Sequence, residues 1–289
     1  MGKYLDAAKA YVTRDAAGLL AGGRYALVHT RSMEFDELRP YVPGDDVRDI
    51  DWKASARSGH TLIKQFVSEK HHKILIVADT GRNTAAPTPT GESKSEVAAH
   101  IIGAVGLMTL PRSDEIGMVA GDRRGCVDIR LRRGETHVER ILHRYVAQTS
   151  TNPGASDIVT QLEWVARHYR HPLLIVIVSD EPDISERLRA VLAPLTARHD
   201  VLWAMVTDMP AIGTEATGVG YDVADGRTLL GADVMGERVV AAYRRSEEER
   251  RRELSEPLTA QRIPHERIAS SRGIMSALVA MTGVYARAG

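Results

Sequence analysis

The sequence predicts an α/β protein built on a doubly wound, mainly parallel sheet. Two runs, Lys73 to Ala78 and Leu173 to Val178, are apolar at almost every position, and each is followed within two residues by an aspartate. Continuous apolar runs of this length are typical of strands that are buried on both faces of a parallel sheet. Segments with helical spacing alternate with these runs, and that alternation favours helices on both sides of the sheet.

The residues before the first of these runs are predicted to form a helix and a small β-rich subdomain that lie against the α/β domain. Lys3 to Leu20 is rich in Ala and Leu and ends before a glycine pair, which predicts a helix that braces the rest of the chain. Arg24 to Thr30 and Thr61 to Val67 have the composition of strands. We therefore expect a helix and a β-rich subdomain in residues 1–72, followed by the α/β domain in residues 73–289.

The remaining elements follow from the spacing of apolar residues. Helices are predicted at Ser95 to Leu110, Val138 to Val146, Ile158 to Tyr169, Leu188 to Leu195, Gly236 to Leu258 and Gly273 to Ala286. Strands are predicted at Glu115 to Ala120, Cys126 to Leu131, Val201 to Val206 and Arg262 to Ile268, with a short hairpin at Tyr221 to Ala224 and Thr228 to Leu230. Because a tight turn at Asp122 to Gly125 joins the first two of these strands, we expect them to form a hairpin at one edge of the sheet.

Charge and cysteine content restrict the class of protein. Lys and Arg together number 38, and Asp and Glu also number 38, so no overall field attracts nucleic acid or an anionic membrane. The single cysteine, Cys126, excludes an internal disulfide and any multi-cysteine metal site, as expected in a reducing cytosol. Charges spread through Met1 to Leu20 are incompatible with a signal peptide or a membrane span. We therefore expect a cytoplasmic protein without stable membrane insertion and without a nucleic-acid partner.

The most distinctive stretch runs from Glu34 to Gln65, where acidic, basic and aromatic residues are mixed at high density. Such mixing predicts a paired, partly buried network that supports the structure or binds a partner. We expect Trp52 to be largely buried and Arg57 to neutralise a buried aspartate. The residues assigned to this network are Glu34, Arg39, Tyr41, Asp45, Asp46, Arg48, Asp49, Asp51, Trp52 and Arg57.

A catalytic interpretation of the same stretch is the alternative. Clustered carboxylates can ligate a hard cation or act as general bases. The high density of arginine around them favours ion pairs, since a cationic neighbour disfavours a metal ion. The alternative function is a metal-dependent hydrolase, for example a nuclease. Its catalytic residues would be Asp45, Asp46, Asp49 and Asp51.

The run EFDELRPYVPGDDVRDIDWKASAR, followed by LIKQF and an apolar strand that ends in aspartate, resembles the family called "domain of unknown function 58". The match is long and without gaps, and a looser resemblance extends from about Gly22 over most of the chain. The resemblance implies a von Willebrand factor A-type domain with an N-terminal extension. It also implies a protein-binding adaptor that works with a MoxR-type AAA+ ATPase and its clients in chaperone-like assembly or maturation. Many members have transmembrane helices ahead of the motif, and we expect none here because the motif begins so early in the chain.

Domains of that type place a metal-ion-dependent adhesion site at the carboxyl ends of their strands, and the resemblance implies a degenerate form of it here. Asp79 matches the first aspartate of the D-x-S-x-S loop, and Asp180 matches the aspartate of the third loop. Ser156 stands in for the threonine of the second loop. Gly81 and Asn83 replace the two serines, so that one ligand is lost and another becomes an amide.

Arg82 adds a positive charge to the same loop. Its guanidinium can pair with Asp79 or Asp180 and thereby act as a surrogate cation in the cleft. A cation beside these carboxylates disfavours a metal ion. We therefore expect no cofactor, with at most weak binding of Mg²⁺ or Mn²⁺.

Signatures of catalysis are missing from the sequence. It contains no G-x-S-x-G, no Walker loop and no H-E-x-x-H. Cys126 falls in a predicted edge strand, where nothing activates its thiol. His71 and His72 are adjacent, and adjacent residues of a strand point to opposite faces. We therefore expect a binding module and not an enzyme.

Overall fold

The computed structural model describes residues 2–16, 38–42, 47, 50–64, 72–151, 153–210, 219–221, 223, 228–230 and 236–288. The helices in these ranges are α1 (Lys3–Ala16), α2 (Trp52–Ser58), α3 (Lys94–Thr109), α4 (Glu135–Ser150), α5 (Ile158–His168), α6 (Glu186–Thr196), α7 (Glu237–Ala260) and α8 (Ile274–Ala288). The strands are β1 (Leu38–Pro40), β2 (Leu62–Lys64), β3 (Lys73–Asp79), β4 (Glu115–Asp122), β5 (Gly125–Arg132), β6 (Leu174–Ser179), β7 (Asp200–Val206), β8 (Val219–Tyr221), β9 (Thr228–Leu230) and β10 (His265–Ile268). None of these helices is both long and apolar enough to cross a membrane.

Six strands form the main sheet, in the order β10-β7-β6-β3-β4-β5. β3 pairs in parallel with both β4 and β6, whereas β5 is antiparallel to β4 at one edge. The prediction of a doubly wound, mainly parallel sheet is confirmed, and so is the central, adjacent position of the two most apolar strands. The predicted edge hairpin is β4 with β5. This is the sheet that we predicted for a von Willebrand factor A-type domain.

Helices cover both faces of the sheet because its central strand is apolar on both sides. In β3, Ile74 and Ile76 belong to one core layer with α3, α4 and α8, whereas Leu75 and Val77 belong to the other with α5, α6 and α7. These four side chains are at most 7% exposed. Burial of apolar surface on both faces stabilises the strands and fixes the position of their ends.

Helix α1 packs against α3 and α4 of the main domain. Leu5 is fully buried in the core layer that contains both helices. A Cβ atom built at Gly103 would lie 2.5 Å from the Cβ of Ala8, so the crossing of α1 and α3 requires a glycine. The Glu139 carboxylate on α4 accepts hydrogen bonds from the backbone nitrogens of Tyr4 and Leu5, at 3.1 and 2.8 Å, and so caps the start of α1. The predicted bracing role of this helix is confirmed.

A small antiparallel sheet of β1 and β2 precedes the main domain. Helix α2 lies between these strands and begins after Asp51, whose carboxylate accepts hydrogen bonds from the backbone nitrogens of Lys53 and Ala54. Such a cap satisfies two of the free N–H groups at the helix N-terminus. The predicted strand at Arg24 to Thr30 lies outside the described residues.

A second small sheet pairs β8 with β9 in antiparallel orientation. The second strand of the predicted hairpin is confirmed at Thr228–Leu230. The first strand begins earlier than predicted, at Val219–Tyr221. The register pairs Tyr221 with Thr228, and this pairing makes the connection between the two strands longer than a tight turn.

Candidate functional site

Three aspartates lie at the carboxyl ends of neighbouring parallel strands. Asp79 is the last residue of β3, Asp180 directly follows β6, and Asp208 lies two residues beyond β7. These strands are consecutive in the sheet, so their ends share one edge. In open α/β sheets this edge is where ligands bind. The loops that follow these strands, together with the loop around Ser156 that faces them, form the candidate functional site.

The loop after β3 is held in a tight turn by its own side chains. Asp79 Oδ1 accepts a hydrogen bond from the backbone nitrogen of Gly81 at 3.0 Å. Thr84 Oγ1 donates to the carbonyl oxygen of Gly81 at 2.8 Å. An aspartate that bonds to the amide two residues further on reproduces the geometry of a backbone turn. These two hydrogen bonds within the loop hold the turn after β3.

The loop around Ser156 closes tightly over Gly81. The backbone nitrogen of Arg82 donates to the carbonyl oxygen of Gly154 at 2.8 Å, and that of Asn83 donates to Ser156 Oγ at 3.3 Å. A Cβ atom built at Gly81 would lie 2.5 Å from the backbone nitrogen of Ser156 and would also overlap its Cα and Oγ atoms. The glycine that removes a metal ligand is thus required by the approach of the two loops. A serine at this position fits only if the Ser156 loop moves.

Asp180 connects the first loop to helix α3. Its Oδ2 accepts a hydrogen bond from Asn83 Nδ2 at 3.1 Å and lies 3.5 Å from Lys94 Nζ. Lys94 is the first residue of α3 and is 2% exposed, and its ammonium also donates to Asp208 Oδ1. Arg82, for which we predicted a role as surrogate cation, is exposed. The cation that the structure places beside Asp180 is Lys94.

We did not predict Lys94 and Asp208 as site residues from the sequence, although a sequence feature points to each. A lysine in the first turn of a helix opposes the helix dipole, and Lys94 directly follows the N-cap residue Ser93. Asp208 follows a third apolar strand, much as Asp79 and Asp180 follow the first two. A lysine at a helix start, where the helix dipole disfavours it, and a third carboxylate at a strand end together indicate an ion pair between Lys94 and Asp208.

Burial raises the pKa of the carboxyl groups in the site. Loss of water around Asp79, together with the nearby negative charge of Asp180, raises the pKa of Asp79 to about 7. Burial also raises the pKa of Asp180, although the charge of Lys94 opposes this shift. The fully buried hydroxyl of Tyr145 on α4 has a raised pKa as well, because of its burial and the charges of both aspartates. Near neutral pH the cleft therefore carries less negative charge than its composition implies.

A divalent cation does not fit the residues of this site. One observation favours a cation, since Asp79 Oδ2 is buried and has no hydrogen-bond partner among the described residues. Against it, Gly81 supplies no side-chain oxygen, Asn83 directs its amide NH₂ group towards Asp180, and Lys94 already neutralises that carboxylate. In the described part of the chain, no three His, Cys, Asp or Glu side chains converge to hold a metal ion. Waters can supply some of the near-octahedral oxygen ligands of Mg²⁺, but the ammonium of Lys94 lies beside the carboxylates that would have to bind the ion directly.

The raised pKa of Asp79 predicts a specific dependence of stability on pH. Between pH 5 and 7.5 we expect wild type to lose about 2 to 3 kcal/mol of unfolding free energy relative to Asp79→Asn. The unfolded aspartate is ionised at pH 5, whereas the native carboxyl keeps its proton until its pKa near 7. The native state therefore binds more protons in this window, and its stability falls as the pH rises. Urea denaturation of both proteins at several pH values measures the difference.

Asp122→Asn is the matched control for this experiment. Although burial acts in the opposite direction, hydrogen bonds from Arg124 and from the backbone of Gly154 lower the pKa of Asp122. The carboxyl of Asp122 is therefore ionised in both native and unfolded states above pH 5. The difference in unfolding free energy between Asp122→Asn and wild type should thus stay constant from pH 5 to about 7.5. A constant difference for Asp79→Asn as well would contradict the proposed protonation of Asp79.

The N-terminal network predicted from the sequence is described only in part. Arg39 lies in β1, Tyr41 follows that strand, and Asp51 caps α2. Trp52 is 69% exposed, so the prediction of its burial is wrong. All seven residues of α2 are at least partly exposed, including Arg57 in its last turn. The following members of the network lie outside the described residues: Glu34, Asp45, Asp46, Arg48 and Asp49.

Comparison with known families gives one match that covers most of the chain. The model of the family described as "Protein of unknown function DUF58" matches residues 37–251. Uncharacterized proteins of Mycobacterium bovis and Mycobacterium tuberculosis are each 26% identical to the chain over 198 residues, which is 68% of its length. The chain spans 62% of the length of these relatives.

Solved structures similar to the chain include two of bacterial origin. One is an aerotolerance-related membrane protein from Bacteroides fragilis, with 12% identity and a TM-score of 0.48, over 73% of this chain and 98% of that one. The other is a von Willebrand factor type A protein from Catenulispora acidiphila, with 14% identity and a TM-score of 0.41, over 76% of this chain and 43% of that one.

Proposed function

The chain belongs to the DUF58 family of proteins of unknown function, and from this premise we propose that it is a non-catalytic protein-interaction module. We place it in the cytoplasm as an adaptor for a MoxR-type AAA+ ATPase and its clients, acting in chaperone-like assembly or maturation. The proposal includes no cofactor, no nucleic-acid partner and no stable insertion into a membrane.

The observation that carries the proposal is the mutual bonding of the loops at the carboxyl edge of the sheet. Arg82 is joined to Gly154 through the backbone, Asn83 is joined to Asp180, and Lys94 is joined to both Asp180 and Asp208. A surface that is ordered before binding loses little conformational entropy when a partner docks. The exposed Arg82 and Asp208 provide polar groups of both signs on this surface. Such an edge is suited to recognition of a protein.

The titratable groups that a catalyst would use support binding over catalysis. Burial and the charge of Asp128 raise the pKa of the Cys126 thiol, which therefore carries little of the reactive thiolate. Burial lowers the pKa of His137, whose Nε2 lies 2.9 Å from the carbonyl oxygen of Ile116. Asp51, a residue of the alternative hydrolase site, serves as a helix cap. We therefore keep the hydrolase only as an outcome of the test.

Binding of the purified chain to the MoxR-type ATPase of the source organism tests the proposal. Arg82→Glu reverses a charge on the proposed surface, and we expect it to weaken binding about tenfold or more, which is about 1.4 kcal/mol. The control is Arg198→Glu, because Arg198 is exposed beside the start of β7, at the opposite edge of the sheet. Biolayer interferometry measures all three affinities.

Two results would contradict the proposal. Equal weakening by both charge reversals would show that the carboxyl edge is not the binding surface. Absence of binding to the ATPase, combined with metal-dependent cleavage of a phosphodiester by the wild-type chain, would favour the hydrolase.

A further inference from the structure

Lys94 places a positive charge where a helix and a protein interior both disfavour it. It is the first residue of α3 and lies between Ser93 and Glu96, which form the capping box of this helix. The aligned peptide dipoles make the start of a helix positive, so a cation there is repelled. The residue is also 2% exposed, and removal of an ammonium from water costs several kcal/mol. Such a position is stable only if nearby groups compensate for both effects.

Two carboxylates provide this compensation. Lys94 Nζ lies 3.5 Å from Asp180 Oδ2 and donates a hydrogen bond to Asp208 Oδ1. The side chain of Asp180 is 16% exposed and that of Asp208 is 48% exposed, so the ammonium lies on the inner side of both. The backbone nitrogen of Lys94 donates to the carbonyl oxygen of Ala86 at 3.0 Å, which ties the start of α3 to the loop after β3. The lysine thus connects the ends of β3, β6 and β7.

The rest of the site is arranged around an ammonium and not around a metal ion. Ser156 closes the space beside Gly81 where a further ligand would stand. Asn83 donates to Asp180, whereas a metal ligand would have to present its oxygen. Asp79 Oδ2 is buried and has no hydrogen-bond partner in the described residues. Lys94 is close enough to interact electrostatically with this carboxyl.

We propose that the Lys94 ammonium is the built-in cation of this site and replaces a divalent metal ion as the counter-charge of the carboxylates at the strand ends. The loops are therefore held in place without metal, and chelators leave the fold unchanged. Exchange of the lysine for a small neutral residue opens a space beside two carboxylates. Since Mg²⁺ is commonly held by one or two carboxylates and retained waters, this space can accept a cation. The inference goes beyond the proposed function and is independent of it, because it requires no partner.

Lys94→Ala is the variant that tests the exchange of an ammonium for a metal ion. In EDTA we expect its melting temperature to fall by about 10 °C, because a buried carboxylate loses its counter-charge. Addition of Mn²⁺ or Mg²⁺ is expected to recover roughly half of that loss, since a ligand that binds only the native state stabilises it. Titration calorimetry with Mn²⁺ should show saturable binding by the variant at concentrations at which wild type shows none.

Lys94→Met is the matched control. Its thioether side chain fills most of the volume of the lysine but carries no charge and is a poor ligand for hard cations. We expect the same fall in melting temperature in EDTA and no recovery with either metal. Wild type is expected to melt at the same temperature in EDTA, Mg²⁺ and Mn²⁺.

Several outcomes would overturn the proposal. One is saturable Mn²⁺ binding by wild type, or a drop in its melting temperature in EDTA. Another is a Lys94→Ala protein that melts like wild type, or that melts lower but is not stabilised by metal. If Lys94→Ala does not fold, the measurements on wild type and on Lys94→Met decide, and sensitivity of wild type to EDTA refutes the inference.

Discussion

Replacement of Trp203 by alanine is expected to lower the free energy of unfolding by about 3 to 5 kcal/mol. Trp203 lies in β7, is 0% exposed and belongs to the core layer that contains α5, α6 and α7. Its deletion removes a large apolar surface and leaves a cavity that the sheet cannot close. The indole nitrogen of Trp203 donates a hydrogen bond to Ser179 Oγ at 3.0 Å. The variant therefore also loses this hydrogen bond to Ser179, the residue that precedes Asp180. Urea denaturation with linear extrapolation measures the loss.

Trp52→Ala is the matched control, because it removes the same side chain from a position that is 69% exposed. We expect its effect to stay within about 0.5 kcal/mol, as for most surface substitutions. Trp203→Phe keeps most of the buried volume and removes the indole N–H. Its loss of unfolding free energy should therefore lie between the losses for Trp52→Ala and Trp203→Ala. A loss for Trp52→Ala that equals or exceeds the loss for Trp203→Ala would mean that the N-terminal stretch contributes a core of its own.

The two tryptophans show which parts of the fold were predictable from the sequence. The strands Lys73 to Ala78 and Leu173 to Val178 were recognised because burial on both faces makes every position apolar, a signal that lies within a few consecutive residues. Trp203 falls in such a run and is buried. Trp52 falls among charged residues, and whether it is buried depends on what packs against α2. That packing is a long-range property, and neither local composition nor motif density reveals it.

The candidate site shows the same limit. Asp79 and Asp180 were found because carboxylates at the ends of adjacent parallel strands must meet at one edge. Lys94 was missed because it stands at the start of a helix whose apolar pattern begins three residues later, at Val97, and it reaches the cleft only through the tertiary fold. The prediction that Gly81 is a lost ligand follows from the sequence alone, because glycine has no side-chain oxygen. The steric requirement for it became visible only with the loop around Ser156 in place.

Replacement of Glu181 by glutamine is expected to lower the free energy of unfolding by about 2 to 4 kcal/mol. The Glu181 side chain is 1% exposed, lies 3.0 Å from Arg250 Nη2 on α7 and forms a second ion pair with Arg267 on β10. Glutamine keeps the shape but leaves two partly buried guanidinium groups without their shared counter-charge. The cost is below that of a fully buried pair because both arginines retain contact with water.

Glu247→Gln is the control for this experiment, since Glu247 pairs with the same Arg250 at 3.1 Å but its side chain is 26% exposed, against 1% for Glu181. An ion pair that water reaches in this way contributes about 1 kcal/mol or less, so its loss should be small. The double variant Glu181→Met/Arg267→Met should recover much of the loss, because neutral side chains of similar volume remove both charges together. Because Glu181 directly follows Asp180, its ion pairs with Arg250 and Arg267 anchor the loop after β6 to α7 and β10. In limited proteolysis, this loop should therefore be cleaved faster in Glu181→Gln than in Glu247→Gln. Equal cleavage and equal stability of the two variants would contradict this anchoring.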